Sequence, residues 1–177
     1  MHDPVSNMIN AVIDSEGGFV DHPSDKGGAT KYGITLGTLT NWRAMLCTDS
    51  DIKQLERKEA FEIYYDSYFL RNNIIELPLK LRHFMLDCTV NHGSKSAIKI
   101  LQRELLANGY VIVVDGICGN ITLKLAGIAE SVLGTKLLNS LVDRRKQYYH
   151  AIVNNNPTQQ VFIKGWLKRA ESFRQAG

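Results

Sequence analysis

The sequence predicts a mainly α protein with a small loop or β-hairpin after its first helix. Three observations predict it. Apolar residues recur three and four positions apart through most of the chain, the spacing that lines one face of a helix. One stretch, residues 19–35, is dense in Asp, Pro and Gly and lacks that period. No long repeat, low-complexity tract or Pro- or Ser-rich linker divides the chain, so one continuous domain is the default.

The elements come in order. Asp3 and Pro4 make a cap followed by a first-turn proline, and Val5, Met8, Ile9, Val12 and Ile13 then recur at helical spacing. A helix over Pro4–Glu16 is expected, stopped by Gly17 and Gly18, since glycine readily takes the left-handed conformation that ends helices. The loop or small hairpin occupies 19–35. Helical patterns resume over 36–45, 57–70 and 78–90; the last, with Leu81, Phe84, Met85 and Cys88, is the most apolar and reads as central. Gly93 closes it, and Ser94 opens another run through Ile98, Leu101 and Leu105 to a stop at Asn108 and Gly109. Residues 110–114 form a short apolar segment, and Asp115, Gly116 and Gly119 read as a loop. Two helical patterns finish the chain, over 133–153 and from Pro157 onward, where Phe162, Trp166 and Phe173 supply large apolar groups.

Composition narrows the class. With 177 residues, 44% hydrophobic and 22% charged, the chain can bury a substantial core without covalent staples. Lys and Arg exceed Asp and Glu by 21 to 18, a mild excess that favours an anionic polymer without choosing among wall, nucleic acid and membrane. Cys47, Cys88 and Cys118 are odd in number and widely spaced, which argues for buried thiols and synthesis in a reducing compartment. The first apolar stretch is interrupted by Asn7, Asn10 and Asp14, so neither a signal peptide nor a membrane span is expected. Synthesis in the cytoplasm and delivery to its place of action by a separate export partner are the resulting expectations.

Glu16 is the unusual residue. A carboxylate in the last turn of a helix faces the negative end of the helix dipole, where Lys or Arg would be favoured. Held there among apolar neighbours, a carboxyl group has its neutral form favoured, which is what a glycosidase uses to protonate a leaving oxygen. Glycoside hydrolysis usually needs a second carboxylate across the scissile bond. Asp21 and Asp25 both lie in the adjoining loop, with Asp25 the first choice and Asp21 the second. Beside Pro and Gly, each is also ordinary turn chemistry.

Other clusters carry less. His22, His83, His92 and Cys88 have no zinc spacing, so neither metal nor cofactor is expected. Arg144, Arg145 and Lys146 with Tyr148 and Tyr149 make a short basic and aromatic run, usually a solvated helix face with half-buried rings, and nucleic acid is not an expected partner. Asn91 and His92 before Gly93 read equally as a helix cap and as hydrogen-bonding groups near a cleft.

The segment EGGFVDHPSDKGGATKYGIT, residues 16–35, resembles the signature of glycoside hydrolase family 108, lysozyme-fold N-acetylmuramidases found in phage endolysins and bacterial secretion systems. DCTVNHG, residues 87–93, resembles that family's central-helix motif. LQRELLANG and DGICGNIT, from residues 101 and 115, resemble the predicted peptidoglycan-binding half that usually accompanies it. The resemblance implies a lysozyme-like catalytic region over 1–92 and a peptidoglycan-binding helical region over 93–177, packed as one compact unit. It implies Glu16 as catalytic acid, with Asp25 and Thr30 completing a triad. Thr35 is the alternative to Thr30. Asp21, Tyr32, Asn91 and His92 are implied as substrate contacts. Such a triad places a water opposite the acid, inverting chemistry that requires carboxyl groups roughly 6.5 to 9.5 Å apart.

The implied activity is hydrolysis of the bond between N-acetylmuramic acid and N-acetylglucosamine, with peptidoglycan glycan strands and stem peptides as partners. Its setting is local wall remodelling that lets a protein cargo pass, or whole-cell lysis as in phage relatives. A lytic transglycosylase would act on the same bond without a water-positioning aspartate. A non-catalytic peptidoglycan-binding protein would keep the site without turnover, and the presence of Glu16, Asp25 and Thr30 together argues against it.

Overall fold

The computed structural model describes residues 4–20 and 29–176. Helices dominate it, and the chain forms two compact units, Met1–Arg71 and Asn72–Gly177.

In the first unit, α1 (Pro4–Glu16) buries Ile9, Val12 and Ile13. It ends as the paired glycines dictate, with Gly17 at φ 81°, a conformation that costs glycine least. Three two-residue strands come next, β1 (Phe19–Val20), β2 (Thr30–Lys31) and β3 (Ile34–Thr35). They form an antiparallel sheet in that order, with Val20 opposite Thr30 and Thr30 opposite Thr35. Tyr32 and Gly33 make the turn between β2 and β3, both at positive φ (54° and 73°), the pattern of the tightest hairpins.

α2 (Leu36–Arg43) is capped by Thr35, whose Oγ1 accepts from the Thr38 N–H at 3.2 Å. α3 (Asp49–Gln54) was not legible as a helix; it is six residues long and buries only Ile52. Its start is fixed by Asp51, whose carboxylate accepts from the Thr48 N–H at 2.8 Å and from the Thr48 hydroxyl at 2.7 Å. α4 (Arg57–Ile63) begins where the sequence predicts. Arg43 joins α2 to α4, donating from Nε and Nη2 to Glu59 at 2.8 Å each, and this pairing holds the Glu59 carboxyl below its usual range. Arg57 ties α4 to α1 through Asp14 at 2.7 Å and Asn10 at 2.8 Å. Beyond Ile63 the chain widens into a π-helix over Tyr64–Leu70. Aromatic packing accompanies the change, with ring centroids 5.2 Å apart for Tyr64 and Tyr68 and 6.1 Å for Tyr65 and Phe69.

The second unit opens with a 3-10 turn at Ile74–Glu76 and continues as α5 (Leu79–His92), α6 (Ser94–Ala107), α7 (Asn120–Leu133) and α8 (Thr135–Asn155). A 3-10 stretch at Pro157–Phe162 leads into α9 (Ile163–Glu171). The sequence pattern does not predict α7. Gly127 interrupts it, and Ile121, Ile128 and Val132 are exposed, so its apolar residues do not trace one face.

α5 is the central helix of this unit, with seven residues from Leu81 to Thr89 buried. Among them is Asp87, which binds Arg169 of α9 through Nη2 at 2.7 Å and Arg145 of α8 at 2.6 Å. Arg145 is fully buried. Its guanidinium carbon lies 5.6 Å from the Phe84 ring centre, 5.5 Å from Tyr149 and 5.8 Å from Phe173, so aromatic faces supply part of what water would. Tyr149 in turn stacks on Trp166 at 5.2 Å. Cys47, Cys88 and Cys118 are free and buried. No helix among the described residues is long and apolar enough to cross a membrane.

Candidate active site

Glu16 is the last residue of α1, a helix with no basic side chain in its final turn. The hairpin comes back against it. Gly17 accepts a hydrogen bond from the Tyr32 N–H at 3.1 Å, and the Tyr64 hydroxyl donates to the Tyr32 carbonyl at 2.8 Å. The hairpin tip is therefore fixed by the end of α1 on one side and by the π segment on the other.

Gly33 explains why the tip can come so close. A Cβ added there would stand 2.9 Å from Cγ of Glu16 and 2.7 Å from the Tyr64 hydroxyl oxygen. The hydrocarbon stem of Glu16 thus lies on bare backbone, beside a tyrosine whose side chain is wholly buried. The stem of Glu16 is thereby held close to the hairpin tip, where an acid that must meet a particular oxygen would be placed.

Thr30 sits in β2, partly buried. Tyr32 is the first residue of the turn, partly buried, with the Lys31 ammonium 5.5 Å from its ring centre. Lys31 also donates to the Lys53 carbonyl at 2.7 Å, and the Lys53 ammonium lies 5.4 Å from the Phe19 ring. The sheet is therefore flanked by two cations. Asp21 and Asp25 lie outside the described residues.

Asn91 and His92 belong to the second unit, at the end of α5. The Asn91 amide donates to the Asp87 carbonyl at 2.7 Å. His92 Nε2 accepts from Arg145 Nε at 3.1 Å, so its imidazole is neutral. Burial, and then the Arg145 charge, push its pKa down to about 3. Among the described residues no group of three or more His, Cys, Asp or Glu is placed to hold a metal ion.

Sequence reasoning missed Gly33 and Tyr64 as parts of this site. A glycine between two short β-prone pairs, Thr30-Lys31 and Ile34-Thr35, is a turn signal that marks Gly33. Nothing local marks Tyr64, whose partner lies 32 positions earlier.

A helix-terminal glutamate packed against a small antiparallel hairpin, in a mainly α protein, is the arrangement of a lysozyme-like fold. The comparisons agree. Residues 9–93 match the Glycosyl hydrolase 108 family, and residues 96–171 match the Predicted Peptidoglycan domain. Among solved structures, that of SagA from Brucella abortus is similar, with a TM-score of 0.79, 32% sequence identity, and coverage of 96% of this chain and 91% of SagA. No curated protein matches the chain. The chain belongs to the glycosyl hydrolase 108 family and carries a peptidoglycan-binding region; it is a glycoside hydrolase acting on peptidoglycan.

Proposed function

We propose that the protein is an endo-acting muramidase that hydrolyses the β-1,4 bond between N-acetylmuramic acid and N-acetylglucosamine. The observation that carries this reading is the mounting of Glu16 on the end of α1 against Gly33 and Tyr64. In this reading Glu16 protonates the leaving glycosidic oxygen. Asp25 takes the role of the second carboxylate and, with Thr30, holds the water on the opposite face of the sugar. Asp21 and Tyr32 contact the glycan beside them. The catalytic region runs over 1–92 and the wall-binding region over 93–177. Asn91 and His92, at the end of α5, are further substrate contacts in this reading.

The resembled family includes muramidases of bacterial secretion systems, and in this reading the enzyme opens the wall locally for a protein cargo. Directing the enzyme to the periplasm should then thin the wall without lysing the culture, whereas rapid clearing would mark a lytic enzyme.

Mass spectrometry of soluble fragments released from purified peptidoglycan tests the chemistry. Fragments with reducing-end muramic acid are expected. Glu16→Gln, which keeps shape and removes the acid, should lower their release by about 10²- to 10⁴-fold. Ends of the 1,6-anhydro type would make the enzyme a transglycosylase. Binding without release by the unmutated protein would make it a wall-binding module.

A further inference from the structure

The charge of the chain is unevenly shared between its units. The formal +3 of the whole divides into seven Lys and Arg against eleven Asp and Glu in the first unit, and fourteen against seven in the second. The second unit is therefore a strong cation, although the whole chain is only mildly basic. From Arg144 to Ala170 it has no Asp or Glu, so that stretch sets no local repulsion against a negatively charged surface.

The end of the same stretch is also apolar at its surface. Pro157–Phe162 places Val161, 77% exposed, beside Phe162, 52% exposed. Val161, Lys164, Gly165 and Lys168 succeed one another three and four positions apart and are all exposed, so they share an outward face, while α9 buries Ile163 and Ala170. A Cβ added at Gly165 would meet nothing within 4 Å, which leaves this face open. Lys164 and Lys168 have no ion-pair partner among the described residues. The next carboxylate along the chain, Glu171, is taken by Lys146 and Arg174.

The apolar part is held in place from within. Phe162 stacks on Trp166 with ring centres 5.8 Å apart, and Trp166 stacks on the buried Tyr149 at 5.2 Å. Three rings thus run from the core to the surface and fix where Phe162 emerges. Asn156 fixes the start of the stretch, its side-chain oxygen accepting from the Thr158 hydroxyl at 2.7 Å. Val161, the most open of these apolar residues, has no hydrogen-bonding group in its side chain to offer a glycan. Aliphatic and aromatic tips beside lysine ammonium groups suit the boundary between lipid head groups and acyl chains. The excess charge of the unit acts collectively, which suits an extended anionic surface better than a single acidic side chain.

We propose that this face, Val161, Phe162 and Trp166 with Lys164 and Lys168, docks the second unit on a bilayer that carries anionic phospholipid. Val161 and Phe162 enter the head-group boundary, and the two lysines reach lipid phosphates. The helix lies on the bilayer and does not cross it, since α9 has 9 residues where a span needs roughly 20. This docking does not depend on which bond of the wall the enzyme cleaves.

The test is co-flotation of the full chain with vesicles of phosphatidylethanolamine and phosphatidylglycerol, against vesicles of phosphatidylcholine alone. Binding to the first and not to the second is expected, and it should weaken as salt is raised. Lys164→Gln with Lys168→Gln should weaken it about 30-fold, roughly fivefold for each ammonium near an anionic surface. Val161→Asp, at an open position, should abolish flotation with the thermal unfolding curve unchanged. Trp42→Phe leaves Trp166 as the sole tryptophan, and its emission should shift to the blue with the anionic vesicles. Absence of flotation, equal binding to the two vesicles, or flotation that survives Val161→Asp would overturn the proposal. The same variants should sediment with lipid-free peptidoglycan as the unmutated protein does. A parallel loss there would give the face to the wall, and self-association relieved by Val161→Asp would give it to a second copy of the chain; either result overturns the docking on lipid.

Discussion

At the scale of single residues, Gly33 and Asp87 show how much one position can carry. Gly33 combines a left-handed backbone with a space already taken by Glu16 and the Tyr64 hydroxyl. Gly33→Ala should cost about 1–2 kcal/mol from the backbone conformation alone. Turnover should fall further than that loss explains, because the added methyl displaces the acid. Urea unfolding and fragment release, measured on one preparation, separate the two effects. Asp87 is the shared anion of two arginines. Burial pushes its carboxyl up, but the Arg145 charge and the Arg169 hydrogen bonds outweigh burial and hold it below its ordinary value. Asp87→Asn keeps the shape and leaves the buried Arg145 uncompensated, a loss of about 3–5 kcal/mol in comparable buried pairs. His92 adds a pH dependence of the same sign. Its folded pKa is depressed from 6.5 to about 3, so below 6.5 the unfolded chain takes up a proton that the fold refuses. Stability present above pH 6.5 should therefore decline toward pH 3, with the Asp87 share lost only below the ordinary carboxylate range. Thermal unfolding should move down by several degrees between about pH 7 and pH 4, and His92→Gln should flatten the curve there.

Among the elements, the π segment has the longest reach. Tyr64, at its start, sends its hydroxyl to the hairpin tip. Tyr64→Phe should lower stability by about 1 kcal/mol and broaden the amide signals of Tyr32 and Gly33. Unchanged signals there would deny Tyr64 its pinning role. This element also marks where sequence reading stops. The end of α1 was legible because Pro4 and Gly17 act locally, and with it the terminal position of Glu16. The aromatic spacing from Tyr64 to Phe69 suits an ordinary helix equally well, so it does not announce the widening. α3 was too short to show a period, and in α7 exposed isoleucine and valine blurred it. The 3-10 stretch at Pro157–Phe162 reads locally as the start of α9, since its proline and cap resemble any helix beginning. Within the site, residue types at a turn were visible, whereas the contact of Tyr64 with residue 32 belongs to tertiary structure alone.

For the molecule as a whole, the division into units bears on dissection. The Glycosyl hydrolase 108 match ends at residue 93, yet α5 carries the Asp87 that binds α8 and α9. A fragment of residues 72–177 should therefore fold cooperatively, with helical circular dichroism, and sediment with insoluble peptidoglycan without releasing fragments. A fragment of residues 93–177 keeps Arg145 and loses its anion, and it should melt at lower temperature or not fold. Equal stability of the two would show that α5 is dispensable.

The three free cysteines give this molecule an intrinsic set of labels. Cys47 lies in the first unit and Cys88 and Cys118 in the second, all buried, and burial raises the thiols of Cys88 and Cys118 to about 12 and 11. The thiolate is the species that reacts, so alkylation of those two waits on opening of the fold. The order in which an alkylating reagent reaches Cys47 and the other two would time the opening of each unit, with no probe engineered into either.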